Sequence, residues 1–101
     1  MKHVNNLFEC AGSFAENKDI AAQIRNNEII PAFNRGDEIE IDFTGVTLTT
    51  QSFIHALISE PLRKNGEDTL DYLSFRGCNN AIKGIIETVV QYVLDTTENE
   101  S

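Results

Sequence analysis

Apolar and acidic side chains alternate strictly from Glu38 to Phe43, with Ile39, Ile41 and Phe43 set against Glu38, Glu40 and Asp42. A period of two is that of a β-strand with one buried and one wet face. Further on, Phe53, Ile54, Leu57, Ile58 and Leu62 fall on one stripe at helical spacing. Gly45 turns the chain before that helix, Thr49 or Thr50 is placed to cap it, and Pro61 is expected to bend its end. Asn65-Gly66 marks a turn, after which Asp71, Leu73 and Phe75 alternate with Tyr72, Ser74 and Arg76 as a further strand closed by Gly77. From about Asn79 to Leu94, the residues Ile82, Ile85, Ile86, Val89, Val90 and Val93 make the widest apolar face in the chain, which predicts a helix largely buried on one side.

The N-terminal third carries a weaker pattern. Leu7 and Phe8, within Val4 to Ala11, predict a first strand ended by Gly12 and Ser13, although the alternation there is poor. From about Asn17, Ile20, Ala21 and Ile24 recur at helical intervals, with Glu16 and Asp19 near the start, where the helix dipole favours negative charge. Pro31 disfavours helical geometry at Ile30, so the run to Asn34 is expected to be kinked or split before Gly36 closes it. Thr96 to Ser101 is short, polar and acidic and reads as a tail, leaving one domain over residues 1–95.

Strands that alternate with helices predict an α/β domain built on a small mixed or mostly parallel sheet. Strands of a parallel sheet covered on both sides are apolar throughout, whereas these alternate. The helices are therefore expected mainly on one face, with Glu38, Glu40 and Asp42 sharing the open face with Tyr72, Ser74 and Arg76.

Composition narrows the function classes. The 101 residues carry 16 acidic and 8 basic side chains, a formal net charge of -8, and the basic residues are scattered rather than clustered. Nucleic acid and anionic membrane are poor partners for such a surface. The apolar runs are far too short to span a bilayer, and Met1 to Asn6 turns polar at once, unlike a signal peptide. Cys10 and Cys78 form no CxxC pair. Two unpaired thiols without an export signal point to the cytosol.

Little in the chain points to catalysis. The glycines form neither GxGxxG nor GxxxxGK[ST], so nothing is set to cradle a phosphate. His3 and His55 lack metal-ligand spacing, and the carboxylates at 38, 40 and 42 are better explained as a wet strand face than as a cation site. No metal and no cofactor is expected. Cys78, just before the last helix, is the one candidate nucleophile, and no base accompanies it. Thr47, Thr49, Thr50 and Ser52 gather at the start of the second long helix, where hydroxyls cap free amides and where an added phosphate would meet a favourable dipole.

The stretch from Ile41 to Leu57, Ile-Asp-Phe-Thr-Gly-Val-Thr-Leu-Thr-Thr-Gln-Ser-Phe-Ile-His-Ala-Leu, resembles the central motif of STAS domains. These form the tails of sulfate transporters and the antagonists of anti-sigma factors. A closer resemblance is to small prokaryotic STAS-like proteins of unassigned function. In those, an Ile-Arg helix, an acidic turn, a strand ending in Asp-Phe-x-Gly-Val and a Ser-Phe helix follow one another. The corresponding residues are Ile24-Arg25, Gly36-Asp37-Glu38, Asp42 to Val46 and Ser52-Phe53, and the similarity extends from about Phe14 to Ile86.

What the resemblance implies is a partner-binding module, because antagonists of this fold bind anti-sigma factors with a histidine-kinase-like ATPase fold. Their switch is a serine at the start of this helix, phosphorylated by that partner. The phosphoserine position falls on Gln51, a departure that argues against the same switch, and Ser52 matches the next hydroxyl residue of the motif. Phe53 stands where the motif has glycine.

The leading expectation is thus a non-enzymatic regulatory module that meets a protein partner, such as a histidine-kinase-like ATPase, through Thr47, Thr49, Thr50, Gln51 and Ser52. A second copy of the chain, as a homodimer, is a further candidate partner. The alternatives are a structural subunit of a larger complex without a phosphoswitch, and a small enzyme using Cys78 or the carboxylate face.

Overall fold

A computed structural model describes residues 2–99, with side chains described through Thr96. Its central strand is β3 (Glu38–Asp42), the segment with the strictest alternation, paired in parallel with β1 (Lys2–Asn6) on one side and β5 (Leu73–Arg76) on the other. Ile39 lies beside His3 and Leu73, and Ile41 beside Asn5 and Phe75. A second, two-stranded parallel ladder joins β2 (Phe14–Ala15) to β4 (Leu48–Thr49).

Parallel neighbours cannot be joined by tight turns, so the chain crosses back through helices. These are α1 (Leu7–Ala11), α2 (Lys18–Ile24), α3 (Ile30–Arg35), α4 (Gln51–Asn65), α5 (Thr69–Tyr72) and α6 (Asn80–Asn99). Ile39, Ile41 and Phe43 are fully buried, and against them lie the predicted stripes of α4 and α6, including Phe53, Leu57, Leu62, Ile82, Val89 and Val93. The result is a small α/β domain with parallel sheets.

The first strand lies earlier than the sequence suggests. Lys2–Asn6 is the strand and Leu7–Ala11 is helical. The pattern misleads because the face of β1 aligned with Ile39 and Ile41 holds His3 and the buried Asn5, while its apolar residue Val4 pairs with Glu40 on the other face at 45% exposure. Asn5 is buried with its amide donating to Glu28 Oε2 at 2.6 Å, and His3 Nε2 lies 2.8 Å from Glu28 Oε1. Pairing with β3 makes this strand, and local hydropathy does not report it.

The run to Asn34 is interrupted, as expected, but the interruption lies ahead of Pro31. A π-helical turn over Arg25–Ile29 leads into α3, with Ile30 N–H bonded to Arg25 O and Pro31 in the first turn of α3. The wide turn shifts the hydrogen-bond register before the residue that lacks a donor. Gly36 then closes α3 in the left-handed conformation, as expected. Helix α4 runs on past Pro61 to Asn65. The predicted strand at Asp71 begins only at Leu73, because Thr69–Tyr72 forms α5, where Tyr72 meets Phe33 edge-on. Helix α6 runs past Leu94 to Asn99, and residues 100 and 101 of the expected tail lie outside the described residues.

The open face departs from expectation at its centre. Glu38 is exposed and Asp42 half-buried, but Glu40 is only 8% exposed. Lys2 from one edge strand and Arg76 from the other reach over it, with Nζ at 3.4 Å and Nη1 at 3.6 Å from its two oxygens. At the end of β3, Asp42 Oδ1 accepts hydrogen bonds from the amide (2.9 Å) and hydroxyl (2.6 Å) of Thr44. Gly77 packs against this turn so closely that a Cβ would sit 2.8 Å from Thr44 N, and its φ of 71° also favours glycine.

Two expectations follow. Leu57 is fully buried at the centre of the α4 stripe, so Leu57→Ala should cost about 2–5 kcal/mol through the cavity it leaves. A denaturant melt reads this, and an unchanged midpoint would show that the stripe is not the buried face. The Thr44 hydroxyl, followed by its amide, holds the Asp42 carboxyl below the usual carboxylate range. Because the folded state depresses that pKa, the ionised group favours folding above the ordinary carboxylate range, and this contribution fades as pH falls through the folded value. Thr44→Val keeps the amide and removes the hydroxyl, so it should raise the Asp42 pKa in a carbon-detected NMR titration.

Candidate functional site

The carboxyl ends of parallel strands are where loops gather and ligands or partners are met. Here that edge holds the segment from Thr44 to Ser52. Its hydroxyls have separate tasks. Thr47 Oγ1 donates to Ser13 O at 3.1 Å, and the backbone amides of Thr47 and Leu48 bond to the same carbonyl. Thr49 is buried and donates to Ala15 O at 2.7 Å. Thr50 caps α4, its Oγ1 accepting from Phe53 N at 3.0 Å, which is the capping expected of this position. Asn79 caps α6 by accepting from Ile82 N, and its amide donates to Thr47 O at 2.9 Å, tying the start of α6 to the same segment.

Gln51 and Ser52 lie in the first turn of α4, both are exposed, and the Ser52 hydroxyl makes no hydrogen bond among the described residues. Thr47 is also exposed and Thr50 half-buried. Of the five residues singled out in the sequence, Thr47, Gln51 and Ser52 therefore lie on the exposed surface of this segment, whereas Thr49 faces inward and supports the β2–β4 ladder. Phe53, in place of the glycine of the STAS motif, is fully buried in the core.

Sequence reasoning missed the apolar part of this surface. Phe14 and Leu48 are paired in register on the β2–β4 ladder, at 42% and 45% exposure. Phe8, at 47%, lies over Gly45, where a Cβ would come within 2.9 Å of its ring. Phe14 and Leu48 carry no signal in the sequence, because a two-residue strand is too short to show alternation, and Phe8 lies in α1 rather than in the strand expected there. Missed as well is a groove of about 720 Å³ between α4 and α6, lined by Gln51, Ser52, His55, Thr88 and Tyr92 and by Lys18 of α2. Those residues are far apart in sequence and meet only through helix packing.

The other candidate chemistry is not assembled. Burial pushes the Cys78 thiol pKa up, a stronger influence than the opposing charge of Lys83, so the thiolate is disfavoured. Its sulfur contacts Arg76 O at 3.9 Å. Among the described residues, no three His, Cys, Asp or Glu side chains are placed to hold a metal ion, and no helix is long and apolar enough to cross a membrane.

A family model for a STAS-like domain of unknown function (DUF4325) matches residues 21–83. That stretch runs from α2 into α6 and takes in the central strand, the Thr44–Ser52 segment, α4 and β5. Comparison with curated proteins and with solved structures returns no match. With well over half of its residues covered, the chain belongs to the STAS-like domain family.

Proposed function

We propose that this domain is a non-catalytic, cytoplasmic regulatory module that meets a protein partner at the carboxyl edge of its sheet. The contact surface comprises Phe14 and Leu48 with Thr47, Gln51 and Ser52. The observation that carries this reading is the exposed Phe14–Leu48 pair on the short ladder that leads into the start of α4, where the Ser52 hydroxyl is exposed. Adjacent large apolar side chains rimmed by hydroxyls and amides have the make-up of an interface core and its polar rim. The raised pKa of Cys78 speaks against covalent catalysis, and two free cysteines suit a reducing compartment.

The resemblance to anti-sigma-factor antagonists suggests a partner with a histidine-kinase-like ATPase fold. Gln51 at the phosphoserine position leaves Ser52 as the candidate for modification. The same glutamine favours a second reading, a structural subunit of a larger complex that needs no switch. A salt-resistant complex of fixed stoichiometry, insensitive to charge at Ser52, would support the second reading over the first.

Affinity capture from the native host followed by mass spectrometry identifies the partner, and calorimetry with variants then tests the surface. Leu48→Asp should weaken partner binding by at least about tenfold, because a carboxylate in a desolvated contact lacks a counter-charge. Unaltered affinity would move the interface elsewhere, for example to the open face bearing Glu38 and Arg76. Ser52→Asp should leave the circular dichroism spectrum and melting behaviour near wild type, since negative charge in a first helical turn is favourable by about 0.3–1 kcal/mol. Its affinity for the partner should change. A folded Ser52→Asp variant that binds normally would exclude a switch at this position.

A further inference from the structure

The groove between α4 and α6 has a lining of two distinct chemistries. Its polar groups are the Lys18 ammonium, the Gln51 amide and the hydroxyls of Ser52 and Thr88. The Thr88 hydroxyl donates its proton to Gly84 O at 2.8 Å, so Lys18, Gln51 and Ser52 remain as donors toward a ligand. Its apolar groups are Ala56, the buried Val89, and the rings of His55 and Tyr92, whose centroids lie 6.4 Å apart at an interplanar angle of 55°. Tyr92 is 55% exposed, more than any other large apolar side chain among the described residues. At about 720 Å³ the space falls within the usual range of ligand sites, roughly 300–1,000 Å³.

Charge selects the ligand. In a chain of net charge -8, no carboxylate lines this groove, and its one permanent charge is the single ammonium of Lys18. A cationic ligand would find no counter-ion there. A phosphate dianion would find only one cation and no planar guanidinium to engage two of its oxygens. A monoanion is matched. The partly covered rings of His55 and Tyr92 above Ala56 and Val89 suit a flat apolar body, stacked or edge-on.

We infer that this groove binds a small aromatic carboxylate, with its ring against Tyr92 and His55 and its carboxylate taken by the Lys18 ammonium and the Ser52 hydroxyl. The inference stands on the groove alone and does not depend on the partner-binding reading, although Gln51 and Ser52 serve both surfaces.

Naphthoate is a suitable probe, titrated into the full chain by calorimetry and by amide NMR. Acetate serves as the charge without the ring, and naphthalenemethanol as the ring without the charge. Naphthoate should bind saturably with shifts at Lys18, residues 51–56 and residues 88–92, while both controls bind at least about tenfold more weakly. Lys18→Met and Tyr92→Ala alter exposed side chains and should leave the melt unchanged, and each should weaken naphthoate by about tenfold. The inference is overturned if naphthoate shows no saturable shifts, if the shifts map outside the groove, if either control binds as well, or if both variants bind like wild type.

Discussion

Strand β3 is paired on both of its edges, and both neighbours run parallel to it. That arrangement constrains nearly everything else. Each parallel pairing requires a long return path, the return paths are helical, and the buried side chains Ile39 and Ile41 give those helices a face to cover. Alternation along β3 means that the opposite face has no comparable apolar surface. Glu40 at its centre is shielded by side chains, Lys2 and Arg76, rather than by another layer of structure. An acidic residue in the middle of a sheet is then accommodated by two cations from the flanking strands, at distances that make ion pairs rather than short hydrogen bonds.

The same topology decides where the segment from Thr44 to Ser52 lies. Since the three strands of the main sheet run parallel, the segments that leave them collect at one edge. There the carbonyls of Ser13, Thr47 and Ala15 are bound by groups from distant parts of the chain. Backbone groups in such a cluster are satisfied locally, so the segment from Thr47 to Thr50 is held in place by its own hydrogen bonds. What protrudes from it is therefore presented by a fixed scaffold: Phe14 and Leu48 from the short ladder, and Gln51 and Ser52 from the start of α4. A pre-organised surface loses less entropy on association than a mobile one.

Helix α4 links the core to this surface. One stripe of it is buried from Phe53 to Leu62, its capped start carries Ser52, and its side toward α6 opens as a groove. Burial of Phe53 at the first turn anchors the end that carries the exposed hydroxyl. Cys78, by contrast, sits at a strand-to-helix junction before α6, where partial burial pushes its thiol pKa up. Two helix starts in one small domain thus differ in chemical accessibility because of what packs around them.

Wherever a residue's role depended on near neighbours, the sequence determined it: the alternation of Glu38 to Phe43, the stripes of α4 and α6, the cap at Thr50 and the end of α3 at Gly36 all follow from spacing and backbone preference. The STAS-like motif around Asp42 to Phe53 was legible for the same reason, being a contiguous strand, turn and helix. Tertiary structure alone decided the rest. It made a strand of Lys2–Asn6 through pairing with β3, buried Glu40 beneath side chains from the two edge strands, and turned Thr49 inward. It also brought Phe14 beside Leu48, and Lys18 into one groove with Ser52 and Tyr92. These outcomes depend on distances between residues far apart in sequence, and hydropathy along a single segment carries no information about which distant partner will cover it.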